Sequence, residues 1–366
     1  MKRMLCFIFT MLNVLSLSGC YDYHEINNTA MVAGIGIDHG KEFHYKVSVE
    51  VIRLSGGESS TPTAKVISEE GENVEDCLKR LVNVATKELQ FSHCKLILFS
   101  DSVTEEGVSN LVDAFMRDPQ YRSDLFLAAV QGSGAREMLS IGEKEERIAS
   151  YDYVSVIENS YRETGSVPPT KLYQFSMDGD QTMLPLFTES DGKYSVDGTV
   201  SLVKGKKFGL LDLEKTQSVM LVSGEYRRGE LLLTTEDGVE IPCQIRSVKA
   251  SRSVEDGESL SVFVKLECYI RLTSMPKDFD LSTMHGVDAA EEKISALLSE
   301  KLESDWQWAK ERELCDVFGL SVYVYRHAPY LYDLRNAGDR AKIIELKSEC
   351  KVTLENFGFS DERISK

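Results

Sequence analysis

Several groups of residues in this 366-residue chain have the types that chemistry would need, and their spacing decides what each can do. Gly34-Ile35-Gly36-Ile37-Asp38-His39-Gly40 is glycine-rich, as phosphate-cradling loops are, but its spacing is not G-x-G-x-x-G and a strand is expected after it where a helix is needed. It reads as a strand running into a turn. Asp178-Gly179-Asp180 begins like a calcium loop but lacks the further oxygen ligands, so it reads as a turn. Ser133, between Gly132 and Gly134, does not fit the G-x-S-x-G frame that presents a nucleophilic serine. His24, His39, His44, His93, His285 and His327 form no H-E-x-x-H pattern and no triad legible from spacing, and each is expected on the surface or satisfied in the core. No histidine lies at ligand spacing from a cysteine pair, so no metal is expected. Glu145-Glu146 and Glu291-Glu292 read as solvated helix faces. No catalytic residue and no cofactor is expected, which argues against an enzyme.

Cys20 carries the clearest chemistry. Lys2 and Arg3 make a positive start, residues 4–17 are apolar apart from Thr10, Asn13 and Ser16, and no acidic residue precedes Asp22. That is the layout of a secretory signal peptide, and the apolar stretch is shorter than the roughly 20 residues a membrane-crossing helix needs. Leu17-Ser18-Gly19-Cys20 resembles the lipobox of bacterial lipoproteins, in which small residues precede an obligatory cysteine. The resemblance implies removal of residues 1–19 and a thioether-linked diacylglyceryl group on Cys20, holding the chain on the extracytoplasmic face of a membrane. Each buried methylene contributes about 0.8 kcal/mol, so one acyl chain binds marginally and two hold the protein stably.

The formal charge of −17 would be repelled by phosphate backbones and anionic headgroups, which disfavours nucleic acid as a partner and leaves membrane attachment to the lipid. Beyond Cys20 lie Cys77, Cys94, Cys243, Cys268, Cys315 and Cys350, widely spaced and mostly within apolar stretches. They read as buried free thiols, with Cys77–Cys94 or Cys243–Cys268 as the alternative if bridges form.

The elements that must position these residues follow from hydrophobic period. Residues 29–38 are an almost continuous apolar run, a strand buried on both faces. Residues 43–51 alternate, with His44, Lys46, Ser48 and Glu50 on the polar side of a half-buried strand. Residues 55–63 read as a loop and 65–69 as a strand. Asn73, with Asp76 three residues on, reads as the cap of a helix carrying Cys77, Leu78, Leu81 and Val82. Strands are expected at 93–100 and 124–130, and helices at 104–116, 135–139 and 147–161. After a texture change at 185–197 come a hairpin around Gly205, a helix at 214–222, and strands at 239–248 and 260–272. A long amphipathic helix at 288–312, a helix at 318–325 and a closing strand at 344–356 complete the pattern. The expected fold is mixed α/β (α+β) and multi-domain. An N-terminal α/β domain with helices on a mixed sheet spans 20–190, and a C-terminal region with long antiparallel strands and one long amphipathic helix spans 191–366, divisible at 255/256.

Certain segments carry a family likeness. Cys20-Tyr21-Asp22-Tyr23-His24-Glu25-Ile26-Asn27, followed by Ala30-Met31-Val32-Ala33-Gly34-Ile35-Gly36-Ile37-Asp38, resembles the start of the Ger(x)C family of spore germination lipoproteins. Asp197-Gly198-Thr199-Val200, Lys206-Lys207-Phe208-Gly209-Leu210-Leu211 and Glu214-Lys215-Thr216 are similar to that family's central segments, and Asp316-Val317-Phe318-Gly319 to its D-I-F-G-F stretch. Tyr21 stands where the family usually has tryptophan, and Val200-Ser201-Leu202 replaces its commoner A-V-F. The resemblance implies a non-enzymatic C subunit of a nutrient germinant receptor in the spore inner membrane, needed for assembly or signalling. Its partners would be two integral-membrane proteins, the A and B subunits, and the membrane reached through acylated Cys20. The resemblance does not say whether this subunit touches the small-molecule germinant. The alternative is a substrate-binding lipoprotein of an uptake system, which requires a ligand cleft between two similar lobes.

Overall fold

A computed structural model describes residues 28–53, 62–177, 181–190, 193–256, 259–274, 279, 281–312, 314–331 and 343–355. Cys20, most of the expected 55–63 loop and the Asp178-Gly179-Asp180 turn lie outside these residues.

The first sheet is built from β1 (Thr29–His39), β2 (Tyr45–Arg53), β3 (Thr63–Gly71), β4 (Glu88–Gln90), β5 (Leu96–Ser100), β6 (Phe126–Gln131), β7 (Gln181–Ser190), β8 (Lys193–Val203) and β9 (Lys206–Leu211), in the order β3-β2-β1-β5-β6-β7-β8-β9, with β4 beside β1. β1, β5, β6 and β7 are parallel, as is β4 to β1; β2 and β8 flank them antiparallel, and β3 and β9 run antiparallel in turn to β2 and β8. Between them lie α1 (Val74–Val84), α2 (Asp101–Glu106), α3 (Ser109–Arg117), α4 (Ala135–Lys144), α5 (Ala149–Asn159) and α6 (Leu172–Met177). Side chains alternate along a strand, so each strand serves both faces. Ile35 and Ile37 of β1 and Val47 and Val49 of β2 pack with α1, α3 and α6. Leu96 and Leu98 of β5 pack on the opposite face with Met138 and Leu139 of α4 and Tyr153 and Ile157 of α5. Asn73 caps α1 by accepting from Asp76 N–H at 2.9 Å. The helix expected at 104–116 is two helices, because Gly107 takes a φ of +127°, a conformation open to glycine, and ends α2.

The second sheet has the order β10-β11-β12-β13, from β10 (Gly229–Thr234), β11 (Glu240–Asp256), β12 (Leu260–Leu272) and β13 (Glu345–Leu354). β13 is parallel to β12, so the connection must cross the sheet, and α8 (Met284–Glu311) makes the crossing. Val262, Val264, Leu266 and Ile270 meet Ile294, Leu298, Leu302 and Trp306 of α8 in one core, which α7 (Leu213–Ser223) and α9 (Leu320–His327) also enter. The exposed edge of β13 is closed by the same helix. Backbone N–H groups of Ser348, Cys350, Val352 and Leu354 donate to Glu303, Ser299, Ser295 and Glu291, at 2.8–3.1 Å. Four helical residues rise about 6 Å and two strand residues about 6.6 Å, so an i, i+4 row of acceptors matches alternate N–H groups of a strand. An edge whose donors are taken has little left to offer another strand.

Each of the two expected divisions falls within a β-hairpin. The 185–197 stretch is the β7–β8 hairpin, paired from Gln181↔Val203 to Ser190↔Lys193, so the first sheet continues to Leu211. The 255/256 division falls at the tip of the β11–β12 hairpin, paired from Cys243↔Leu272 to Asp256↔Leu260.

Candidate functional site

The Gly34–Asp38 stretch is a seat for two helix ends. Gly34, Gly36 and Asp38 point to one face of β1, and Glu50 and Ser48 of β2 stand beside the two glycines. The N-termini of α4 and α5 come down on this row. A Cβ on Gly34 would lie 2.7 Å from Ser150 Cβ, and one on Gly36 would lie 3.1 Å from Ala135. Asp38 accepts from the N–H groups of Ala135 and Arg136 at 2.8 and 2.9 Å. Glu50 accepts from those of Ala149 and Ser150 at 2.7 and 2.9 Å, and from the Ser150 hydroxyl. Two strand carboxylates thus satisfy the orphan donors and the positive ends of two helices about a hundred residues away in sequence. Burial pushes both carboxyls above their ordinary values, against the donors that favour the charged form. Glu50 and Ser48, expected on a polar face, are fully buried because that face carries these helices.

At the end of β1 the chain gathers three side chains that spacing kept apart. His39 closes β1, His44 precedes β2, and Glu106 ends α2, the helix that follows β5. His39 Nε2 and His44 Nε2 each lie 2.7 Å from a different oxygen of the Glu106 carboxylate. Tyr45 donates its hydroxyl to Glu106 at 3.4 Å. Burial raises the Glu106 pKa, but hydrogen bonds from His44 and His39 outweigh it and hold the carboxyl below its usual value. The intervening turn is fixed by Glu70, which accepts from the N–H groups of Lys41 and Glu42 at 2.9 Å and Phe43 at 3.4 Å. Gly40 N–H donates to the His44 carbonyl at 3.1 Å. Histidines expected to be isolated are here a pair on one carboxylate.

The other candidates are structural or lie apart. Ser133 Oγ is buried and has no hydrogen-bond partner among the described residues. His327 Nδ1 lies 2.9 Å from the Tyr323 carbonyl and the ring stacks on Tyr323. Cys77, Cys94, Cys243, Cys268 and Cys350 are buried free thiols, so neither Cys77–Cys94 nor Cys243–Cys268 is bridged; the Cys315 side chain lies outside the described residues. Burial pushes Cys77 and Cys350 up to about 11 and Cys94, Cys243 and Cys268 up to about 12, which leaves little reactive thiolate. A cleft of about 400 Å³ opens beside Tyr161, Thr170, Arg227, Arg252, Tyr323 and Arg326. The sheets flanking it differ in strand number and topology, unlike the similar lobes a cleft-type binding protein requires.

The segments of family likeness are joints of the fold. Gly198 takes a φ of +137°, and a Cβ there would sit 3.0 Å from Asp212 Cα. The buried hydroxyls of Thr199 and Thr216 are 3.0 Å apart, and Asp212 caps α7 by accepting from Lys215 N–H at 2.7 Å. Lys215 then reaches the buried Asp305 of α8 at 2.6 Å, joined there by the Ser218 hydroxyl. Phe318 packs edge-on to Trp306 with ring centres 5.5 Å apart, and Gly319, at a φ of +65°, starts α9.

Comparison with known proteins identifies the family. Residues 22–188 match the family described as the spore germination protein N-terminal domain, and residues 197–358 the one described as spore germination B3/GerAC like, C-terminal. Among relatives, the chain is similar to spore germination protein KC of Bacillus subtilis (strain 168), at 20% identity covering 96% of this chain and 94% of that protein. Spore germination protein B3 of the same organism is 22% identical, with 80% of each chain covered. Spore germination protein A3 is 27% identical over 62% of each. The crystal structure of the GerBC protein superposes with a TM-score of 0.53 at 17% identity, covering 88% of this chain and 97% of that one, and so shares the fold. With both matches together spanning most of its length, the chain belongs to the Ger(x)C family of spore germination proteins.

Proposed function

We propose that this chain is the lipid-anchored C subunit of a spore nutrient germinant receptor, a non-enzymatic protein acting by contact with integral-membrane A and B subunits. The observation that carries the reading is the pair of family matches, which start at residue 22, two positions after the lipobox cysteine, and reach residue 358. Among the described residues no helix is long and apolar enough to cross a membrane. The acidic surface supplies no electrostatic substitute, and in this reading acylated Cys20 holds the chain. The described fold starts at Asn28, eight residues beyond Cys20. A chain spans at most about 3.6 Å per residue, so the start of β1 lies within about 30 Å of the bilayer. Tethering at that distance raises the local concentration of the chain around membrane-embedded partners and favours assembly without new contacts.

Cys20→Ala tests the anchor. Removing both acyl chains removes far more than the marginal binding a single chain gives. Essentially all of the chain is expected to leave the membrane fraction, and the nutrient response of the spores to weaken. Unchanged fractionation would contradict the lipid assignment.

A further inference from the structure

We propose that His39, His44 and Glu106 form a binding site for a divalent transition-metal ion of the zinc type. Two imidazoles and one carboxylate are a ligand set that suits zinc and its first-row neighbours. Their ligand atoms all lie within 4.8 Å of one another. Around a tetrahedral zinc, bonds of about 2.0–2.1 Å place donors roughly 3.3 Å apart, so the 2.7 Å His–Glu separations open by about half an ångström to admit the ion and the wider separations in the trio close toward it. The remaining coordination position is open to water, since the side chains of His39, His44 and Glu106 are 38%, 46% and 39% exposed.

The trio is also held in place before any ion arrives. The turn between the histidines is fixed by the three N–H groups that Glu70 accepts and by the Gly40–His44 bond. The Tyr45 hydroxyl orients the Glu106 carboxylate from outside the ligand shell, the kind of outer support that metal sites use. The cluster stands at the carboxyl ends of the parallel strands β1 and β5, the edge at which open α/β sheets hold ligands. A hydrogen-bonded surface pair would need one histidine; the second imidazole on the other carboxylate oxygen is what a metal site adds.

The test is a zinc titration of the full-length chain in detergent, without a histidine tag and after chelator treatment, read by calorimetry. Expected is saturable binding of one ion at the cluster, weakened at least tenfold by each of His39→Ala, His44→Ala and Glu106→Gln. Zinc should raise the melting temperature of the parent chain and not of these variants, since an ion that binds only the folded state stabilises it by mass action. Melting curves recorded without zinc establish that the variants fold. Failure of the parent chain to bind, or binding unweakened in either histidine variant, would overturn the proposal.

Discussion

Gly34→Val is expected to destabilise the first sheet by at least about 3 kcal/mol and Gly34→Ala by about 1–3 kcal/mol, measured as a lowered denaturant midpoint. The cost is steric. A Cβ at this position collides with the Ser150 side chain, 2.7 Å from its Cβ, and Ser150 cannot swing aside without leaving Glu50. If α5 backs away, the N–H groups of Ala149 and Ser150 and the buried Glu50 carboxylate lose one another together. Each buried polar group left without a partner costs about 1–3 kcal/mol more. A valine variant with the parent midpoint would show that α5 does not need this close approach.

Asp305→Ala should be as damaging to the second sheet's core, at about 3–5 kcal/mol. Asp305 is 3% exposed and receives Lys215 at 2.6 Å and the Ser218 hydroxyl, while Lys301 stands 3.7 Å away. Removing it leaves the Lys215 ammonium, whose side chain is 20% exposed, without its counter-charge between α7 and α8. The paired substitution Asp305→Leu with Lys215→Met removes both charges and is expected to recover most of the loss, because apolar groups of similar volume replace a buried pair at little cost. A double variant no more stable than Asp305→Ala alone would mean the pair is not what ties the two helices.

Much of this fold is written in hydrophobic period and capping. The apolar run of β1, the Asn73 cap of α1, the hairpin at Gly205 and the stripe Ala290, Ile294, Leu298, Leu302 and Trp306 of α8 are all local signals. What escaped a sequence reading depends on partners far along the chain. Glu50 alternates like a solvent-facing residue, but it is buried because its partners lie about a hundred residues later. β4 is too short to show a period of its own, and the consecutive Leu231, Leu232 and Leu233 of β10 hide in sequence the alternation that its burial follows. Gly34, Gly36 and Asp38, recurring every second residue on one face, did carry a signal: small residues and a carboxylate on a buried face ask for a close backbone with free donors. The histidine cluster left none, since Glu106 is 67 residues from His39 and 62 from His44. Cys20 is the reverse case, read from its neighbours alone and lying outside the described residues.

On the proposed function, this chain serves nutrient germination from the membrane surface. The direct measurement is the fraction of spores that germinate on nutrient addition, in a strain whose other members of this family have been removed. Deleting this chain should abolish the response. The wild-type sequence should restore it, and Cys20→Ala should restore it poorly. A full nutrient response in the deletion strain would contradict the account.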